Sequence, residues 1–226
     1  ENNYDLPGAG VFQYISFRSA LAIITSLLVS LVFGGSIINL IRNKQIGEQV
    51  RKLGFKGEQA KSGTPTMGGL IILSAILIPT LLFARLDNIY IQVMLISTIW
   101  LGVIGFIDDY IKVFRKDKEG LAGKFKILGQ VGIGVIVGLV MVFHSDIVVK
   151  EKNIPTEIEG IYDFSENAEK SSITTIPFLK NNEFDYQDLT SWICDGMKKY
   201  SWLLFIFVVI FVITAVSNGA NMTDGL

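Results

Sequence analysis

NIYIQVMLISTIWLGVIGFI, residues 88–107, is twenty residues without a charge, and it runs directly into Asp108-Asp109. About twenty apolar residues at ~1.5 Å rise each cross the ~30 Å hydrocarbon layer of a bilayer. Backbone polar groups in lipid must be satisfied within the segment, so the stretch predicts a membrane-spanning helix. The two acids then fall where hydrocarbon gives way to water, with Lys112, Arg115, Lys116, Lys118, Lys124 and Lys126 close behind. Adjacent carboxylates among many cations suit a divalent metal and a polyphosphate. The first expectation is a membrane enzyme acting on a phosphorylated substrate.

Four further charge-free runs lie at Ser19–Ile41, Ser62–Ala84, Ile127–Ser145 and Tyr200–Thr223. Each is long enough to span. In the second, residues 62–69 read as a loop, with the helix starting near Met67 to Leu70. Half the residues are hydrophobic and the mean hydropathy is +0.47, which agrees with the membrane class. The expected fold is all-α and polytopic, with about five transmembrane helices in one domain, residues 1–226. The single Cys194 excludes an internal disulfide and a cysteine zinc site. The first run is too long for a signal peptide and lacks a small-residue cleavage pattern. The chain starts at Glu1 without Met and stops at Leu226 inside a polar motif, so truncation at both ends is expected.

Charge gives an orientation. The loop Arg42–Lys61 holds six basic residues against two acids, and Asp108–Lys126 holds another six. The long loop 146–199 has six Lys but eleven acids. Excess Lys and Arg mark cytoplasmic loops, and short loops carry this signal best. The two basic loops are therefore expected inside, and the N-terminus and loop 146–199 outside. Lys61–Gly69, Asp108–Lys126 and Asn218–Leu226 then share the cytoplasmic face.

Each of these segments has a chemical reading beside a plainer one. Asp108 and Lys112 are four apart and share a helical face, with Asp109 turned by ~100°. The plain alternative is a polar helix end. Lys116 and Lys124 suit a phosphate, and equally suit anionic headgroups. In residues 61–69, Pro65 sets a bend, and Thr66 falls near a helix N-terminus, where free N–H groups favour phosphate. A capped loop with a glycine pair explains the same residues. Asn221 and Asp224 are three apart, so one turn can aim both at one ligand; a polar terminus is the alternative. Gly134 and Gly138 form a GxxxG pair, which reads as close helix packing. His144 and Cys194 are read as non-catalytic. In the outer loop, residues 174–179 read as a short strand or a membrane-surface segment.

GTPTMGG (63–69), GFIDDYIK (105–112), GLAGKFKILGQ (120–130) and NGANMTDGL (218–226), in this order, resemble the phospho-N-acetylmuramoyl-pentapeptide transferases. These belong to the polyprenyl-phosphate N-acetylhexosamine-1-phosphate transferase superfamily. Relatives that use other amino sugars share the Asp pair but usually not the GTPTMGG loop. The resemblance implies a fold of ten helices, of which this chain holds about five, typically in a homodimer in the bacterial inner membrane. It implies transfer of phospho-MurNAc-pentapeptide from UDP-MurNAc-pentapeptide to undecaprenyl phosphate, giving lipid I and UMP, with Mg2+ as cofactor and no nucleic-acid partner. By the same resemblance Asp108 would position or deprotonate the lipid phosphate, and Asp109 and Lys112 would organise the diphosphate. Lys61, Thr66, Lys116 and Lys124 would line the phosphate and nucleotide site. Asn221 and Asp224, with Asp109, would serve the metal, and Asn221, Gly225 and Leu226 the nucleotide. Further family ligands lie beyond Leu226, so the 226-residue piece alone is expected to be inactive. The rivals are a GlcNAc-1-phosphate transferase using the same lipid and an ion-coupled transporter. Transporter acids usually lie mid-membrane within repeats, and this chain shows neither feature.

Overall fold

The structure is a computed structural model that describes residues 9–44, 67–115, 117, 120–152, 164–170, 173–177, 182–193 and 199–224. It contains two compact units, Glu1–Lys126 and Ile127–Leu226.

In the first unit a short 3-10 turn, Ala9–Gln13, precedes α1 (Ile15–Lys44), α2 (Gly69–Phe83) and α3 (Ile89–Phe114). α1 and α2 pack antiparallel: Gly34 lies against Ile71, and Arg18 Nη1 sits 3.5 Å from the Phe83 carbonyl. A cation is favourable there, because the last carbonyls of a helix carry its negative end. Residues 84–88 turn the chain, and the Asn88 side chain accepts from the Tyr90 N–H at 2.9 Å to cap α3.

Four helices among the described residues are long and apolar enough to cross a membrane: Ile15–Asn39, Ile89–Phe114, Gly123–Phe143 and Ser201–Thr223. The chain is a multi-pass membrane protein. Leu31 is 77% exposed and Phe211 64%, which water would penalise and lipid does not. The second run departs from expectation. Its helix starts at Gly69, as read, but α2 has only 15 residues, about 22 Å at helical rise. Met67 has a left-handed φ of 70°, which helix geometry excludes, and Ala84 is extended. A charge-free run bounds a span from above without setting its ends.

The second unit holds most of α4 (Gly123–Phe143), four short strands, α5 (Tyr186–Ile193) and α6 (Ser201–Asp224). β1 (Val149–Lys152) pairs antiparallel with β2 (Phe164–Glu169), and β3 (Ile173–Thr175) with β4 (Glu183–Asp185). The strand reading at 174–175 holds, and the loop 146–199 adds these two small sheets to an otherwise helical chain. Tyr186 anchors it. The ring is 2% exposed and meets Phe205 of α6 edge-on at 5.5 Å, and its hydroxyl accepts from Thr174 Oγ1 at 2.6 Å.

α4 and α6 meet at the GxxxG pair. A Cβ on Gly134 would lie 2.9 Å from the Ile210 Cα, and one on Gly138 would lie 3.0 Å from Ile206 Cγ1. A Cβ would press on the α6 backbone at Gly134 and crowd the Ile206 side chain at Gly138, so the pair marks close helix packing, as the sequence suggests. Gly138→Leu is expected to destabilise the protein by at least ~2 kcal/mol through overpacking. The measurement is the melting midpoint in detergent, and an unchanged midpoint would show that the two helices are not held together there.

Candidate active site

The α3 helix presents two adjacent faces to two tasks. Gly102, Gly105, Phe106 and Asp109 follow the i, i+3, i+4, i+7 spacing of one helical stripe. Asp108 and Lys112 lie about 100° round the axis. The stripe with Asp109 looks onto α2, and the other face receives the chain that follows α3.

Asp108 is 7% exposed and every described contact to it is a donor. Lys112 Nζ lies 2.7 Å from Oδ2, Lys126 Nζ 2.8 Å from Oδ1, and the Leu121 N–H donates to Oδ1 at 2.8 Å. One buried carboxylate thus ties together three chain positions: its own helix, the turn after it and the first turn of α4. A buried charge survives only when paired and hydrogen-bonded in this way. Asp108 and Lys112 share a helical face as expected from the sequence, and there they engage each other. The Lys126 contact was missed, although Lys126 stands inside GLAGKFKILGQ. Spacing alone does not reveal a partner 18 residues away.

Gly120 makes that closure possible. Its φ is +69°, a region that costs an L-residue ~1–2 kcal/mol. A Cβ there would run into Asp108 Oδ1 and lie 2.7 Å from Lys112 Cε. Gly120→Ala is therefore expected to destabilise by about 2 kcal/mol or more, strain and clash together. It should also lower turnover of the complete gene product, because the turn carrying Leu121 lifts off. Melting and rate measured side by side check this, and a variant matching wild type in both would show that the turn is not held as described.

Asp109 has a different setting. Half-buried, it lines a cavity of about 300 Å³ together with Met67, Gly69, Leu70, Ile72 and Leu73 of the α2 side and Gly102, Gly105 and Phe106 of α3. Among the described residues that line it the walls are apolar, and Asp109 is the one charged group. Gly102 permits the close approach, since a Cβ there would lie 2.8 Å from Leu73 Cδ1. Among the described residues Asp109 has no hydrogen-bond or ion-pair partner. No described residue engages its oxygens, while both oxygens of Asp108 are engaged.

The remaining residues divide as follows. Lys124 is exposed on the first turn of α4, beside the clamp but outside it. Asn221 is exposed near the end of α6, and Asp224 is its last helical residue; both belong to the second unit. There Gln130 joins the end of α6, donating from Nε2 to Ser217 Oγ at 3.0 Å and accepting from Asn218 Nδ2 at 2.8 Å. Lys61, Thr66, Lys116, Gly225 and Leu226 lie outside the described residues. Among the described residues no three His, Cys, Asp or Glu side chains gather as a metal site. Asp109 offers a hard-oxygen carboxylate at the cavity wall, the kind of donor that holds Mg2+ together with substrate phosphates.

Residues 61–73 match the family model described as phospho-N-acetylmuramoyl-pentapeptide-transferase signature 1. Along the whole chain the similarity is to proteins named phospho-N-acetylmuramoyl-pentapeptide-transferase. That of Flavobacterium psychrophilum is 56% identical, over 99% of this chain and 56% of the relative. That of Flavobacterium johnsoniae is 54% identical, over 100% and 57%, and that of Parabacteroides distasonis 56%, over 98% and 54%. The chain spans about half the length of the curated relatives it matches. With more than half of its residues identical to theirs and the signature loop leading into the wall of the Asp109 cavity, the chain belongs to the phospho-N-acetylmuramoyl-pentapeptide transferase family.

Proposed function

We propose that the complete gene product transfers phospho-MurNAc-pentapeptide from UDP-MurNAc-pentapeptide to undecaprenyl phosphate in the bacterial inner membrane, as a homodimer with its site on the cytoplasmic face. A phosphate oxygen of the lipid attacks the sugar-linked phosphorus, the bond from that phosphorus to the bridging oxygen breaks, and UMP leaves. The observation that carries this reading is the pairing of a free carboxylate in an apolar cavity with an adjacent clamp of two lysines. A lipid-borne phosphate needs apolar walls for its tail and cations for its head.

Phosphoryl transfer asks a protein mainly for positioning and charge neutralisation. Lys112 and Lys126 each use one proton on Asp108 and keep others for phosphate oxygens. Of the two roles open to Asp108, the geometry favours positioning, because both of its oxygens are engaged. Asp109 would hold Mg2+, which when bound neutralises developing phosphate charge and helps orient the diphosphate. Asn221 and Asp224 would support the nucleotide and the metal from the end of α6. Lys61, Thr66, Lys116, Lys124, Gly225 and Leu226 would complete the phosphate and nucleotide contacts, a part of the reading that rests on the family resemblance.

The test uses the complete gene product in detergent with undecaprenyl phosphate, Mg2+ and either UDP-MurNAc-pentapeptide or UDP-GlcNAc. UMP release and lipid product with the first nucleotide, dependent on lipid and metal, are expected. Turnover with UDP-GlcNAc alone would move the protein to the sister activity.

A further inference from the structure

We propose that Gln130 is a positioning residue that fixes the rotation of α6 about its own axis and so aims the Asn221–Asp224 turn at the nucleotide. This deepens the transferase reading and rests on it.

Gln130 is 5% exposed inside an apolar helix, one turn before Gly134. An amide in such surroundings is costly unless both its ends are paired, and polar groups within membrane helices are retained for a task. Here both ends are paired, and the partners are consecutive. Nε2 donates to Ser217 Oγ and Oε1 accepts from Asn218 Nδ2. Asn218 Nδ2 also donates to the Thr214 carbonyl at 2.8 Å, which fixes its rotamer.

Two neighbouring residues of a helix project ~100° apart. One side chain that engages both therefore sets an angle as well as a distance. The glycine contacts cannot do this. Gly134 against Ile210 and Gly138 against Ile206 set how near the helices come, but apolar surfaces lack the directionality of hydrogen bonds. The register supports the division: along α4 the order Gly138, Gly134, Gln130 meets Ile206, Ile210 and Ser217–Asn218 along α6.

The helical period carries this angle onward. Asn221 is four residues after Ser217 and three after Asn218, and Asp224 is seven after Ser217, so all stand on one face. A 20° rotation of α6 would displace side-chain atoms 5–6 Å from its axis by ~2 Å. Misplacement by ~1 Å can cost ~100-fold in rate. The rest of α6 is apolar between Trp202 and Val216 apart from Thr214, so the Gln130 pair is its angular fix next to the polar end.

The experiment compares Gln130→Leu and Gln130→Glu with wild type in the complete gene product. Leu offers no partner. Glu offers an acceptor to the Asn218 amide and another to the Ser217 hydroxyl proton. Gln130→Leu is expected to raise the KM for UDP-MurNAc-pentapeptide by about tenfold or more, with the KM for undecaprenyl phosphate within about twofold of wild type. Gln130→Glu should recover most of that loss. Melting midpoints in detergent establish that each variant is folded, and should Leu not fold, Gln130→Asn, one methylene too short, takes its place with the same expected split. Unchanged KM values would overturn the proposal, as would equal damage toward both substrates without rescue by Glu. If wild type turns over UDP-MurNAc-pentapeptide and the split is absent, the proposal alone fails. If wild type does not turn it over, the transferase reading fails and takes the proposal with it.

Discussion

Asp109→Asn in the complete gene product is expected to lower kcat by about 10²–10³-fold, the usual loss when one charge-stabilising group is removed from a reacting centre. Its melting midpoint should not move. The reason is the asymmetry between the two acids. Asp109 has no ion-pair or hydrogen-bond partner among the described residues, so the exchange breaks nothing structural. It removes the one charged group among the described residues that line an apolar-walled cavity. Steady-state UMP release and thermal melting on the same preparation decide the matter. Activity within about tenfold of wild type would exclude Asp109 from holding metal or phosphate.

Asp108→Ala should behave in the opposite way, losing stability together with activity. The change strands two ammonium groups and the Leu121 N–H around a vacated site. Removing one member of a buried ion pair costs ~3–5 kcal/mol. The lower end, about 3 kcal/mol, applies here because the Lys112 side chain is 35% exposed and solvent takes up part of its charge. Asp108→Asn should fall between, since it still accepts from Leu121 but no longer offsets two cations. If Asp108→Ala melted like wild type and lost activity alone, the roles of the two acids would have to be exchanged.

Much of this was legible before any coordinates. Charge-free runs locate spans because lipid penalises charge, and the Asp108–Lys112 contact follows from helical period. Gly134 and Gly138 announce a close crossing because small residues four apart let helix backbones approach. The closure of the clamp was not legible. It depends on a backbone turn at Gly120, and a glycine in sequence does not say which side of φ it will use. Gln130 was equally hidden, since one amide in an apolar run leaves no periodic trace until the facing helix is in register. The start of α2 was legible, because the polar, glycine-rich residues before Leu70 read as a loop; that the remaining 15 residues fall short of a full span was not drawn from it. The pairing of β1 with β2 escaped for the ordinary reason that an acidic, aperiodic loop carries no alternation to read.

The shortness of α2 has a consequence for the membrane itself. About 22 Å of helix beside a hydrocarbon layer of ~30 Å leaves a deficit of ~8 Å, and a bilayer meets such mismatch by thinning or by letting the flanking chain sink inward. α1, with 30 residues, has no such deficit, so the mismatch is confined to the α2 side. Met67 and Gly69, which line the Asp109 cavity, stand at the α2 end opposite Phe83. Where the bilayer responds by thinning, its surface dips beside α2, the helix that lines one side of that cavity. On the proposed transferase reading, a prenyl phosphate would meet Asp109 beside such a dip with its tail still in oil, and a water-borne nucleotide would descend only part of the leaflet to reach it.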